Sequence, residues 1–270
     1  MKSNQKNHNQ VNQAIEKIIT DFVRNYQSEH HTETSWREPV IGFADAADPM
    51  FLELKQIIGP SHALPSEILP DAQSVIAYFI PFSKEVIKSN IPEEESSREW
   101  DYANLETNLL LSDLNQILYE KLEKLGYHAS LLPPTYNYDE EELVSDWSHK
   151  SAAYVAGLGR FGAHHLLITD KGCCGRIGSI VTDLELTPTP KPDKEYCLNK
   201  YSGNCRKCVD RCVNDAFCTT GDTIFYDRHK CNEQIYDKAI PFYSIGSGDA
   251  CGKCMCGVPC SFTNPCEKLI

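Results

Sequence analysis

The chain of 270 residues has no apolar run near the ~20 residues that a membrane-spanning helix requires. It is also short of basic charge: 26 Lys and Arg stand against 38 Asp and Glu, a net charge of −12. A surface this acidic is repelled by phosphate backbones, which argues against nucleic acid as the main partner. The opening stretch MKSNQKNHNQVNQ has no apolar core of the kind a signal peptide carries, so a cytoplasmic location is expected. No internal repeat is visible apart from a doubled cysteine motif. An apolar fraction of 41% and a mean hydropathy of −0.40 exclude a disordered chain. At roughly 150 residues per domain, one or two domains are expected.

What the chain does have is cysteine. Eleven of its thirteen cysteines lie after residue 196. Cysteines clustered in this way, without an export signal, point to bound metal or redox chemistry rather than to a disulfide framework.

Up to Leu186 the pattern is that of a layered domain of helices and strands. Val11, Ile15, Ile18, Ile19, Phe22, Val23 and Tyr26 recur at helical spacing. Val40–Ala44 reads as a buried strand. Asp48-Pro49 reads as a capped start for a helix over Met50–Ile58. Ser74–Ile80 (SVIAYFI) is a second buried strand. Leu105 to Leu125 form a long helix closed by Gly126. Strands are expected at His128–Leu132, Leu166–Thr169 and Ser179–Asp183, and a helix over about Ser145–Ala156, capped by Ser145 or Asp146. The alternation of strand and helix predicts an α/β layer domain over residues 1–186. TPTPKPDKEY then reads as a linker. The segment 187–270 has little apolar periodicity and needs another source of stability, for which bound metal is the usual answer.

Its cysteines fall into two runs, Cys197-x7-Cys205-x2-Cys208-x3-Cys212 and Cys231 followed by Cys251-x2-Cys254-x5-Cys260. A C-x2-C pair followed by a C-x3-C step is the ligand grammar of [4Fe–4S] ferredoxins, in which the last cysteine of each run ligates the other cluster. On that grammar one cluster takes Cys197, Cys205, Cys208 and Cys260. The other takes Cys231, Cys251, Cys254 and Cys212. The first cysteine of each run is displaced, with Ser202 and Gly248 at the usual positions. Cys256 makes its own C-x3-C step with Cys260 and competes with Cys254 as ligand. Zinc is the rival metal, since C-x2-C pairs also build four-cysteine zinc sites. Cys173, Cys174, Cys218 and Cys266 are read as core or bystander thiols.

Gly157-x-Gly159-x-x-Gly162 matches the dinucleotide fingerprint in letters only. That fingerprint needs a strand before it and a helix after it, and here the order is reversed. The glycines signal either close backbone approach to a ligand or a tight turn.

AGLGRFGAHHLLIT (Ala156–Thr169), GRIGSIVTDLEL (Gly175–Leu186) and the two cysteine runs, taken in order, resemble the epoxyqueuosine reductase family, relatives of the reductive dehalogenases. VIGFAD and LPDAQSVIAYFIPF are similar to its N-terminal region, so the resemblance covers about residues 39–266. It implies a nitroreductase-like α/β cobalamin-binding domain followed by a bacterial ferredoxin-like domain with two [4Fe–4S] clusters, an α+β or α/β fold overall. It also implies electrons supplied by a reduced ferredoxin or flavodoxin-type donor, and a corrinoid facing Gly157, Leu158, Gly159, Arg160 and Gly162.

The departures from the family are specific. Its Asp-Ser/Thr-Ala-Pro stretch, with the proposed proton-donating Asp, would fall at Leu143, where no such motif stands. Asp146 and His149, three residues apart on the expected helix, are the nearest replacements. Trp147 reads as core. His164 and His165 lie beside the same loop and, as neighbours on a strand, would point to opposite faces. The family continues into helical repeats that grip tRNA, whereas this sequence ends at Ile270. With the acidic charge, that argues for a small-molecule substrate. Two readings of function result: a corrinoid-dependent iron–sulfur reductase, or a two-cluster electron carrier that docks a redox partner. A zinc-stabilised binding module is the third.

Overall fold

The computed structural model describes residues 2–133, 136–221, 223–237 and 240–269. In chain order it begins with helix α1 (Lys2–His30), strand β1 (Val40–Asp45), helices α2 (Pro49–Ile57) and α3 (Pro65–Ile68), strand β2 (Ser74–Pro81), and helices α4 (Lys84–Ser89) and α5 (Arg98–Lys124). The short strands β3 (Tyr138–Asp139) and β4 (Val144–Ser145) precede helix α6 (His149–Val155), the hairpin β5 (Gly159–Phe161) and β6 (Leu167–Thr169), and strand β7 (Gly175–Thr182). Pro133-Pro134 reads from the sequence as part of a solvated loop, and Pro134 lies outside the described residues.

The central sheet has the order β1-β2-β7, and both of its pairings are antiparallel, with Phe43 opposite Ile76 and Ala77 opposite Ser179. The alternation of strand and helix predicted an α/β layer domain without fixing the direction of its strands. The connections return each strand against its neighbour, giving a mixed α/β fold on an antiparallel sheet. β2 is buried along its whole length. Its residues alternate between two cores. Ile76, Tyr78 and Ile80 pack with Ile19 of α1 and Leu110 and Leu114 of α5. Val75, Ala77 and Phe79 pack with Phe51 of α2 and Ala152 and Val155 of α6. Burial on both faces is why SVIAYFI is continuously apolar rather than alternating.

Local signals act where they were read. The Asp48 carboxylate accepts the Met50 N–H at 3.0 Å and caps α2. Gly126 takes a left-handed φ of +87° immediately after α5. Two expectations need correction. His128–Leu132 is not a strand: it makes one bridge to β7, Ala129 to Thr182, flanked by the Ser130 N–H on Val181 O and the Asp183 N–H on His128 O. The helix expected from Ser145 starts at His149, and Ser148 caps it by accepting the Ser151 N–H. Ser145 is instead paired in β4, with its hydroxyl donating to the Tyr136 carbonyl.

The segment after Leu186 lies against the sheet. Thr189 N–H donates to Phe43 O at 2.9 Å, and Phe43 N–H returns to Thr189 Oγ1 at 3.0 Å. Beyond it come helices α7 (Leu198–Ser202) and α8 (Lys207–Asp210), strands β8 (Phe217–Thr220) and β9 (Thr223–Tyr226), helix α9 (Arg228–Tyr236), and the pair β10 (Phe242–Tyr243) and β11 (Gly246–Ser247). A third core joins this segment to the sheet: Phe82, Ile87, Trp100, Ala163 and Ile168 pack with Cys197, Cys208, Cys256, Val258 and Cys260. The Arg37 guanidinium reinforces the junction by donating to the carbonyls of Phe82, Lys171 and Phe262. Among the described residues no helix is long and apolar enough to cross a membrane.

Candidate metal centre

The cysteine-bearing turns are short and locally tied. Cys197 caps α7, and its carbonyl accepts the Tyr201 N–H at 2.8 Å. α8 is a single turn that carries Cys208 and sets Cys212 just past its end. Cys260 is brought to the same place from far along the chain, its carbonyl held by the Cys173 N–H at 2.9 Å. These pieces enclose a cavity lined by Cys197, Cys205, Cys208 and Cys260, with apolar walls that include Ala163, Leu198 and Val258. Burial pushes the Cys208 thiol up to about 12, reinforced by the nearness of Cys260, Cys197 and Cys205. Four thiols that oppose one another's ionisation in an apolar hollow suit a cation that takes thiolates.

The second group forms on α9 and the 251–256 turn. Asp227 caps α9 through the N–H groups of His229 and Lys230 and sets Cys231 one turn in. Burial raises the Cys254 thiol first, and then Cys251, Cys231, Cys208 and Cys212 raise it further. Cys251 feels Cys231 and Cys212 in the same way, after burial. Cys212, Cys231, Cys251 and Cys254 thus act on one another's ionisation, and Cys208 acts on Cys254 as well. Cys256 lies elsewhere. It is fully buried beside Cys174 and receives the Asn90 side-chain N–H at 3.6 Å. Cys173, Cys174 and Cys266 are buried and Cys218 is exposed.

The glycine segment leads into the β5–β6 hairpin, and its own chain fills the space over it. A Cβ on Gly157 would stand 2.9 Å from Pro190 O, while one on Gly159 would meet the Ile168 carbonyl. Leu158 is buried in the core on the α2–α6 side of the sheet. Arg160 is held by the Tyr154 hydroxyl and the Pro192 carbonyl. The tip of the hairpin faces the sulfurs: Ala163 N–H points at Cys197 Sγ at 3.4 Å, and His164 Nε2 lies 3.4 Å from Cys260 Sγ. The adjacent histidines are in a turn, not on a strand as expected. His165 has a φ of +60° and stacks on Tyr226. The sequence reading missed these sulfur-facing groups. The one available signal was a histidine pair directly after the last glycine.

Asp146 and His149 do not share a helix face, because Asp146 precedes the cap. The Asp146 carbonyl accepts the Ala63 N–H at 2.7 Å. His149 is buried, with Nε2 2.9 Å from Pro133 O and Nδ1 2.8 Å from Ser179 Oγ. A carbonyl only accepts, so Nε2 carries the proton and Nδ1 accepts from the Ser179 hydroxyl. Trp147 is core, 1% exposed, and its Nε1 donates to the same Ser179 oxygen.

Burial lowers the pKa of His149 below its ordinary value of 6.5, and that of His62 likewise. The unfolded chain then binds protons first as pH falls. Stability is full above about pH 6.5 and declines below it, toward the lower folded values, with a slope of at most about 1.4 kcal/mol per pH unit for each histidine. Anaerobic urea titrations between neutral and mildly acid pH should show this decline. His149→Gln, which keeps a donor for Pro133 O, should make it shallower, leaving the share of His62. An unchanged slope would mean that the fold does not lower the pKa of His149.

Solved structures share this fold. An epoxyqueuosine reductase from Streptococcus thermophilus aligns with a TM-score of 0.53 at 19% identity, over 90% of this chain and 66% of its own. The catabolic reductive dehalogenase NpRdhA aligns at 0.57 with 18% identity, over 84% of this chain and 30% of its own. The same dehalogenase in complex with 3-bromo-4-hydroxybenzoic acid aligns at 0.56 with 19% identity, over 84% of this chain and 30% of its own. The chain thus spans just under two thirds of the first protein and under one third of the second. The resemblance expected from the sequence is present in the fold. No family model matches the chain, and no curated protein matches it.

Proposed function

We propose that this chain is an iron–sulfur oxidoreductase that relays electrons through two [4Fe–4S] clusters. The observation that supports it is the grouping of eight thiols into two adjoining quartets, one of them around an apolar cavity. Cys197, Cys205, Cys208 and Cys260 would hold one cluster; Cys212, Cys231, Cys251 and Cys254 would hold the other. Bound clusters supply one-electron chemistry. The chain's own residues supply the thiolates, exclude water and keep the two quartets adjacent. On this reading residues 1–186 are a nitroreductase-like domain and 187–270 a ferredoxin-like one. The location is cytoplasmic, where thiols stay reduced, and a reduced ferredoxin or flavodoxin-type protein is the donor.

Two readings of the acceptor each have support. In the first, the acceptor would be a corrinoid serving the reduction of a small molecule, as the fold shared with reductases suggests. Asp146 would be the candidate acid of that reading, and His149, both of whose nitrogens are engaged, a positioning residue. In the second, the acceptor is a docked redox protein. The packing of Gly157, Gly159 and Arg160 against the chain's own linker and hairpin favours this one. Those residues do not fit a corrinoid as they stand, because the linker and the hairpin occupy the space over them.

Anaerobic reconstitution followed by cobalamin titration tests both. The expected result is a brown protein with about eight irons, four for each cluster. Cobalt retained with a base-off spectrum selects the reductase. The same iron content without retained cobalt selects the carrier. A colourless protein with zinc overturns the cluster reading.

A further inference from the structure

The β5–β6 turn carries two hydrogen-bond donors on consecutive residues, both aimed at sulfurs of the first quartet. Its geometry assigns a proton. The His164 ring is 3% exposed, and its Nδ1 accepts the Leu166 N–H at 3.1 Å. A ring nitrogen that accepts carries no hydrogen, so the proton of the neutral imidazole sits on Nε2. Nε2 is the atom 3.4 Å from Cys260 Sγ, and it therefore donates to that sulfur. Ala163 N–H does the same for Cys197 at 3.4 Å.

The turn is built to hold this pose. Gly162 N–H donates to Leu166 O at 2.9 Å and closes the turn. A Cβ on Gly162 would lie 2.6 Å from His164 Cε1, so only glycine lets the ring fold back over its own turn. The surroundings are the apolar residues of the cavity wall, where a hydrogen bond is electrostatically stronger than in water.

We propose that His164 is a positioning residue that raises the reduction potential of the cluster held by Cys197, Cys205, Cys208 and Cys260. Reduction adds negative charge to the cluster, and part of that charge resides on the ligating sulfurs. A fixed N–H directed at Cys260 stabilises the reduced form more than the oxidised one. The glycine-rich segment thus serves the cluster through its tip. This inference rests on the two-cluster reading.

The test is potentiometric titration monitored by electron paramagnetic resonance, on the full chain with reconstituted clusters. His164→Leu removes the donor and keeps the apolar bulk. The expected result is an iron content equal to the parent's, one cluster shifted to a more negative potential and the other unchanged. His164→Gln, which restores an N–H, should recover part of the shift. An unchanged potential, or an equal shift of both clusters, overturns the inference while leaving the clusters in place. A parent protein that takes up no iron overturns the cluster reading and this inference with it. The unmutated protein provides a second measurement that does not depend on how the variants fold. With isotopically labelled histidine, the reduced cluster should show a weak nitrogen coupling transmitted through the hydrogen bond. A strong coupling means direct ligation by His164 and no coupling means no contact; either overturns the proposal.

Discussion

Cys254→Ala should halve the iron content of the reconstituted protein, from about eight atoms to about four, while Cys256→Ala should leave it near eight. Both cysteines satisfy a spacing rule: Cys254 makes a C-x2-C pair with Cys251, and Cys256 makes a C-x3-C step with Cys260. The tertiary environments separate them. The Cys254 thiol is raised by Cys251, Cys231, Cys208 and Cys212 beyond the effect of burial, so on the proposed assignment its removal leaves the second cluster three ligands. Cys256 is fully buried beside Cys174, with the Asn90 amide directed at its sulfur. Its loss leaves a small gap in an apolar core and every ligand in place. Iron and sulfide analysis with the absorption spectrum reads the difference. The reverse pattern would move the second site onto Cys256 and redraw the quartets.

Trp147→Ala is expected to cost about 3–5 kcal/mol of folding stability, the range for deleting a large aromatic side chain from a core. The ring is 1% exposed and lies between Phe51, at 6.1 Å between centroids, and His62, at 5.8 Å. Its Nε1–H is one of two groups held by Ser179 Oγ, the other being His149. Trp147→Phe should keep most of the packing and lose mainly the hydrogen bond, about 1 kcal/mol. Anaerobic urea unfolding measures both variants. Iron content should remain at the parent value as long as the variants fold, because the side chain packs in the α2–α6 core and not in the one that holds the cysteines. A small stability loss together with an altered acceptor spectrum would instead place Trp147 at a ligand.

The distance between what was legible and what was not follows the range of the forces involved. Asp48 caps α2 and Gly126 closes α5 through contacts within a few residues, so both were readable from neighbouring letters. The second helix boundary failed for the same kind of reason. Ser145, Asp146 and Ser148 all have capping side chains, and the choice of Ser148 was made by β4, which pairs Ser145 with Tyr138 across a turn. His128–Leu132 has the letters of a strand, but its pairing with the edge strand β7 is limited to the bridge at Ala129 and the backbone hydrogen bonds on either side of it.

The sequence by itself determined the short-range chemistry of this protein. It set the apolar run that became the doubly buried β2, the caps, and the C-x2-C turns that bring two thiols to one place. Only the tertiary structure decided the rest: that the sheet is antiparallel, that Cys260 comes to the cavity beside Cys197, Cys205 and Cys208, that Cys256 is buried beside Cys174, that the glycine segment is covered by its own linker, and that His164 faces a sulfur. Periodicity and spacing record which side of an element is buried and which ligands are close in sequence. What covers that side, and which distant residue completes a cage, depends on contacts between segments as far apart as Cys197 and Cys260, and these exist only once the cores have packed.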